Sequence, residues 1–297
     1  MSDLLGRRGN ARRRFRELLA GGELILAPGA YDAMSARLVE AAGFGAVYMT
    51  GFGVTASLLG RPDIGLLGMS EMAQAARRIV SAVDVPVIAD ADTGYGNAIN
   101  VIRTVQEYEA AGVAAMHIED QVMPKRCGHM SGKQVVPAEV MSDKVRAAMA
   151  ARQDPDLVLI ARTDAAAVEG IDAAIDRALR YREAGADMLF VDAPASLEDV
   201  EKAAAALAGQ PVLFNWVEGG RTPPVTIDQL RGWGFSMVIF PIAALLASVA
   251  ATRAVLARIG EDGTPIRAMA GLPHMAEFLG IIGLAEVDRL GQRFSQG

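Results

Sequence analysis

Cysteine, histidine and aromatic residues are scarce in this 297-residue chain: one Cys, three His, and 5% Phe, Trp and Tyr together. A single thiol excludes an intramolecular disulfide and any Cys-rich zinc site, and it suits a reducing compartment. An excess of positive charge is missing too. Lys plus Arg number 29 against 35 Asp plus Glu, a formal charge of −6, which argues against general affinity for nucleic acid or anionic lipid, since both need a basic surface. No apolar stretch of signal-peptide length opens the chain, and Asp3 and Glu17 dilute any transit-peptide character of the arginine-rich start, so a cytoplasmic location is expected. The long uncharged run between Arg231 and Arg253 is broken by Gly232, Gly234, Ser236, Pro241 and Ser248. It reads as a buried strand feeding a buried helix, not as a membrane span.

What is present is a 52% hydrophobic composition, enough for a sizeable core. At the start, RRRFRELL has helical spacing with Phe15, Leu18 and Leu19 on one side, which predicts a helix over about 10–21 whose arginines form a solvated face. Beyond it, short aliphatic runs alternate with longer Ala-rich amphipathic segments, the pattern of βα units and a parallel sheet. Eight strands are expected, at 24–27, 46–50, 85–92, 114–120, 157–164, 186–193, 211–217 and 236–242. Eight units point to an α/β fold of the (β/α)8 barrel type, although a strand count leaves closure open. No Pro-, Ser- or charge-rich linker divides residues 1–297, so one domain is expected. A helical tail over about 265–297 carries Leu272, Met275, Phe278, Leu279, Ile281 and Ile282, which need a surface to cover, a neighbouring subunit being one candidate.

In α/β barrels the active site lies at the carboxyl ends of the strands. Here those ends carry Tyr48 and Thr50, Asp90 and Asp92, Glu119 and Asp120, Arg162 and Asp164, Asp192, and Asn215. Acids gathered on one face repel unless a cation or protonation offsets them. Asp90 and Asp92, two apart on a strand, lean to one face with Glu119 beside them, an all-oxygen set suited to magnesium, or manganese as substitute. The alternative is that these acids cap the following helices. His117, inside its strand, and His274, in the tail, read as structural.

The loop Gln121–Pro137 holds the lone Cys127 among Lys125, Arg126 and His129, with Gly128 adjacent. Cationic neighbours lower a thiol's pKa, which suits a nucleophile, yet a thiol on a mobile loop beside a metal can equally deliver a proton to a carbanion. Two other motifs carry less. Gly51-Phe52-Gly53 imitates a dinucleotide fingerprint, but Leu59-Gly60-Arg61-Pro62 interrupts the helix it should open. A Schiff-base lysine inside the barrel is not expected, because Lys125, Lys133, Lys144 and Lys202 fall in loops or helices.

PKRCGH at 124–129 resembles the signature of the isocitrate lyase and phosphoenolpyruvate mutase superfamily. Tyr48-Met49-Thr50-Gly51-Phe52-Gly53, Arg61-Pro62-Asp63, Asp90 to Gly96, Ile118 to Gln121, Ala161 to Asp164 and Asn215 are similar to that family's active-site segments, in the right order along essentially the whole chain. The resemblance implies a magnesium-dependent (β/α)8 barrel, a homotetramer whose helix after the eighth strand is exchanged between subunits. Within the superfamily the cysteine loop looks like that of carbon–carbon lyases, and the length looks like that of 2-methylisocitrate and 2,3-dimethylmalate lyases. Such an enzyme cleaves a 2-hydroxy di- or tricarboxylate to pyruvate plus succinate or propionate.

The resemblance also implies roles. Magnesium sits near Asp92, with Asp90 and Glu119 ordering its waters. Tyr48 or a metal-linked base takes the hydroxyl proton, and Arg162 and the backbone near Gly51 and Gly53 offset developing charge. Cys127 protonates the carbanion, positioned by His129 and Lys125, while Thr50, Phe52, Gly128, Asp192 and Asn215 complete the substrate pocket. Thr50 stands where serine is common, Asp192 where methylisocitrate lyases carry glutamate, and Pro241 where oxaloacetate hydrolases tend to carry serine. The rival readings are an oxaloacetate decarboxylase or hydrolase, which would not need Cys127, and a phosphonate-forming mutase.

Overall fold

A computed structural model of the chain describes residue 5 and residues 10–126, 128 and 132–295. Among these, eight strands run β1 Ile25–Ala30, β2 Val47–Met49, β3 Val87–Asp90, β4 Ala115–Glu119, β5 Val158–Thr163, β6 Met188–Val191, β7 Val212–Asn215 and β8 Met237–Phe240. Each is parallel to the next, and β1 pairs with β8 from Ile25↔Met237 to Pro28↔Phe240, which closes the barrel that the sequence pattern had left open. The helices are α1 Ala11–Ala20, α2 Ala33–Ala41, α3 Gly51–Leu59, α4 Met69–Ala82, α5 Ala98–Ala111, α6 Ala138–Ala151, α7 Ile171–Glu183, α8 Leu197–Ala206, α9 Ile227–Gly232, α10 Ala243–Asp262, α11 Met275–Ile281 and α12 Leu284–Phe294. Their starts follow from local chemistry. The side chains of Asp32, Asn97 and Thr226 each accept from the amide three residues on, and their own amides donate to that residue's side chain, satisfying donors that the first turn leaves orphaned.

Two cores result from the period-2 alternation of the strands. One set of side chains, including Val47, Ala89, Met116, Ala161 and Leu189, packs outward against the helices. The other, including Ile25, Tyr48, Ile88, Ile160, Phe190 and Met237, fills the barrel and is sealed by Phe15 of α1, which is completely buried. The arginines of α1 do more than face solvent. Arg12 donates to Val113 O and pairs with Asp154, and Arg16 donates to Asp156 O and Leu157 O and pairs with Asp187, so the helix is bonded across the barrel floor.

Two further expectations change. A nine-residue helix does open at Gly51, ending at Gly60 in the left-handed conformation, because the break at Arg61-Pro62 comes only after two and a half turns. The helix after β8, expected to be buried, is not: α10 buries no residue, and Leu246, Val249, Leu256 and Ile259 lie open along it. By length and apolar composition α10 could also cross a membrane. β1 and the 266–271 turn lie against it, but among the described residues they leave none of its side chains buried.

Candidate active site

The carboxyl ends of the strands open on a cavity of about 230 Å³, lined by Tyr48, Thr50, Phe52, Asp63, Asp90, Lys125, Arg126, Gly128, Arg162, Asn215 and the segments Val217–Gly220 and Pro241–Ile242. Strand register brings its chemistry together: Asp90 lies opposite His117, and Glu119 opposite Arg162. At the end of β2, Thr50 caps α3 by accepting from Gly53 N, and Gly51 N donates to Asp90 Oδ2 at 3.2 Å. A Cβ at Gly51 would stand 2.4 Å from that oxygen, so only glycine permits the approach. Asp90 is fixed from behind by Tyr108, which donates to its carbonyl.

Asp90 and Asp92 do reach the same site, but not by strand alternation. The strand ends at Asp90, and Asp92 sits in a turn at φ +46°, its amide donating to Asp90 Oδ1 at 2.9 Å. Holding a non-glycine residue in the left-handed region costs conformational energy and is concentrated at functional sites. Ala193, next to Asp192, is held the same way at φ +53°.

Lys125 and Arg162 run through the acids. Lys125 Nζ stands 2.6 Å from Asp63 and 2.7 Å from Asp92. Arg162, over the Phe190 ring, contacts Asp164 at 2.9 Å, Asp192 at 2.8 Å and Glu119 at 3.2 Å. Asp192 also accepts from Asn215 Nδ2 at 2.9 Å. Loop position therefore did not keep Lys125 out of the barrel end. Its carboxylate partners hold its ammonium protonated against the cost of burial, which a Schiff-base amine cannot be.

The negative charge is not fully balanced. Burial, aided by Asp90 and Asp63 and opposed by Lys125, pushes Asp92 up to about 7, and burial with Asp164 and Asp90 raises Glu119 against Arg162 and Lys125. Burial likewise raises Asp63. Asp90 moves the other way, because His117, Lys125 and Arg162 overcome its burial. Asp92 Oδ1, although ion-paired with Lys125, receives no aligned hydrogen bond, and Glu119 Oε1 has no hydrogen-bond partner. No group of three acidic or imidazole side chains among the described residues closes around a metal unaided. A magnesium ion takes only one or two protein carboxylates and completes its shell with water and substrate, so oxygen-only donors that include the unpartnered buried Glu119 Oε1 fit it.

Of the residues singled out from the sequence, Tyr48, Thr50, Phe52, Asp90, Lys125, Gly128, Arg162 and Asn215 line the cavity, while Asp92, Glu119 and Asp192 contact Lys125 or Arg162. Gly51 and Gly53 form the first turn of α3. Cys127 and His129 lie outside the described residues. His117 is more than packing: its Nε2 is 2.9 Å from Tyr48 Oη and 3.7 Å from Asp90 Oδ1. Burial lowers its pKa to about 4, leaving a neutral ring, and burial with Asp90 keeps the Tyr48 phenol protonated. Asp63, Lys133 and Glu218 were not picked out as site residues. Asp63 stood within a matched segment, but nothing in its spacing shows that it meets Lys125.

A cleft lined by acids and bridging cations at the carboxyl ends of a (β/α)8 barrel stands where enzymes of this fold carry their active sites. A family model described as phosphoenolpyruvate phosphomutase matches residues 15–260. The chain is 44% identical over 288 residues to 2,3-dimethylmalate lyase of Eubacterium barkeri, spanning 97% of this chain and 99% of that protein. To 2-methylisocitrate lyase of Aeropyrum pernix it is 45% identical over 274 residues, 92% of this chain and 88% of that one. Oxaloacetate acetylhydrolase in complex with 3,3-difluorooxalacetate superposes with a TM-score of 0.92 at 38% identity, covering 98% and 99%. Phosphonopyruvate hydrolase in complex with oxalate and Mg++ superposes with a TM-score of 0.85 at 33% identity, covering 96% and 99%. The chain belongs to the phosphoenolpyruvate mutase/isocitrate lyase superfamily. Within it, the chain is a carbon–carbon lyase.

Proposed function

We propose that this lyase cleaves a 2-hydroxy, 2-alkyl di- or tricarboxylate of the 2,3-dimethylmalate or 2-methylisocitrate type, releasing pyruvate together with propionate or succinate. The observation that carries it is the convergence, at one end of the barrel, of a hydrogen-bonded Tyr48–His117 pair, the cations Lys125 and Arg162, and an unpartnered buried oxygen on Glu119. Asp92, Asp90 and Glu119 would hold magnesium, directly or through water. When bound, magnesium lowers the pKa of the substrate hydroxyl and offsets charge on its carboxylate.

Tyr48 has a phenol that stays protonated and a neutral imidazole 2.9 Å behind it, so it works best as one link of a relay. It takes the hydroxyl proton while passing its own to His117, which Asp90 stabilises when charged. The carbon bearing oxygen becomes the keto carbon of pyruvate, the adjacent carbon–carbon bond breaks, and its electron pair moves into the second fragment as an enediolate. Arg162, which lines the cavity, offsets that charge. Cys127 delivers a proton to the carbanion, with His129 and Lys125 positioning it.

Pyruvate release from each substrate with magnesium, coupled to lactate dehydrogenase, tests this. Cleavage is expected to fall at least about 100-fold in Cys127→Ser and to stop with EDTA. Consumption of oxaloacetate alone, unchanged by that substitution, would replace the lyase reading with the hydrolase one suggested by the fit to oxaloacetate acetylhydrolase. Assembly is part of the same proposal. The uncovered α10 is the element that a homotetramer with exchanged helices would bury, and sedimentation of the protein and of Leu256→Glu checks it: a monomeric wild type refutes it.

A further inference from the structure

Lys133 is a buried cation that the mechanism above does not use. Its side chain is 2% exposed, and its Nζ stands 2.7 Å from Asp164 Oδ1 while donating to Gly128 O. Burial of an ammonium is costly unless it is paired and hydrogen-bonded, so a lysine with a stem long enough to reach water stays inside only where its partners hold it. Here the partners join two different parts of the molecule.

The first is the loop after β4. Its ends are tied near the barrel by Val122 N to Gln134 O, Val136 N to Asp120 O, and the Gln121 side chain, which bonds both the amide and the carbonyl of Arg126. Gly128 lies beyond that ladder and lines the cavity. A Cβ there would stand 1.6 Å from Asp192 Oδ2 and 2.5 Å from Arg162 Nη2, so its backbone rests directly on the Arg162–Asp192 pair. The second part is Asp164. Its amide donates to Asp120 Oδ1, and both its carboxylate oxygens accept from Arg162.

From this geometry we infer that Lys133 is a positioning residue, pinning Gly128 over the cavity and tying the loop to the carboxylate that orients Arg162. The inference rests on the lyase reading for its kinetic consequence. Lys133 touches no reacting atom; it sets where the loop and Arg162 stand when the bond breaks.

The test uses Lys133→Met, which keeps the stem without the ammonium, and Lys133→Arg, which keeps a cation. Turnover per folded enzyme is measured together with the rate of tryptic cleavage after Arg126 and the global unfolding midpoint. Lys133→Met is expected to lose about 10- to 100-fold in kcat and to be cut after Arg126 about 10-fold faster, with global unfolding little changed. Lys133→Arg is expected to stay within about 10-fold of wild type in both. Wild-type turnover in Lys133→Met overturns the inference, as does slow turnover with unchanged cleavage at Arg126. Should Lys133→Met fail to fold, a folded Lys133→Arg that is slow, or cut as fast as an unpinned loop, overturns it as well. If the wild type cleaves neither substrate, the lyase reading fails while the proteolysis arm still judges the pin.

Discussion

Phe15→Ala is the sharpest perturbation of the barrel that leaves its chemistry alone. Phe15 is completely buried and packs with Ile25, Ala46, Ala114 and Val158 at the end of the barrel opposite the site. Truncation removes roughly 150 Å² of buried apolar surface, about 4 kcal/mol at 25 cal/mol per Å², and measured Phe→Ala losses in cores run about 3–5 kcal/mol. The hydrogen bonds from Arg12 and Arg16 to the floor remain, so α1 stays docked and a cavity is left beneath it. For a chain of 297 residues, an unfolding entropy of about 2.1 cal/mol/K per residue gives about 0.6 kcal/mol/K, so the midpoint should fall by about 5–8 °C. Thermal or urea unfolding measures this, with lyase turnover at 25 °C as the control, expected within about 2-fold of wild type. A loss under about 1 kcal/mol would show that Phe15 does not seal the barrel. Collapse of turnover at unchanged stability would show that floor and site are coupled, which the two-ended arrangement denies.

Arg12→Gln tests the sign of an electrostatic contribution. A hydrogen bond from Arg12, then the amide of Asp156, holds the Asp154 carboxyl below its usual range. An acid with a depressed folded pKa adds stability above its unfolded pKa, and that stability disappears as pH falls through the folded value. Because the pair is partly exposed, its pH-dependent part should be less than about 1 kcal/mol at pH 7, and the gap in urea titrations should narrow below about pH 3 to what the untitratable bond from Arg12 to Val113 O contributes. A gap that widens in acid refutes the assignment. Gly128→Ala should cost activity more than stability, since its Cβ would collide with Asp192 and Arg162. Turnover down at least about 10-fold with a midpoint within about 3 °C is the expected outcome, and full activity would mean that the loop does not rest there during turnover.

The sequence by itself determined the eight βα units, the end of the barrel where the polar residues gather, and most of the side chains that line the cavity. Those features follow from short-range rules: strand alternation, helix caps, and residues at the strand ends, which lead directly into the loops around the cavity. Tertiary structure alone decided closure, since β1 meets β8 across more than two hundred residues of chain. It also decided that Asp92 reaches Asp90's site through a left-handed turn, that His117 joins Tyr48, and that Lys125 and Lys133 point inward from a loop. A loop lysine and a strand-end aspartate carry no mark in sequence of the partner they will meet. Which acid each cation neutralises is set by distances between segments far apart in the chain, because ion pairing and desolvation depend on spatial neighbours and not on spacing. The same reason explains α10, whose apolar composition promised burial but which the described residues leave uncovered.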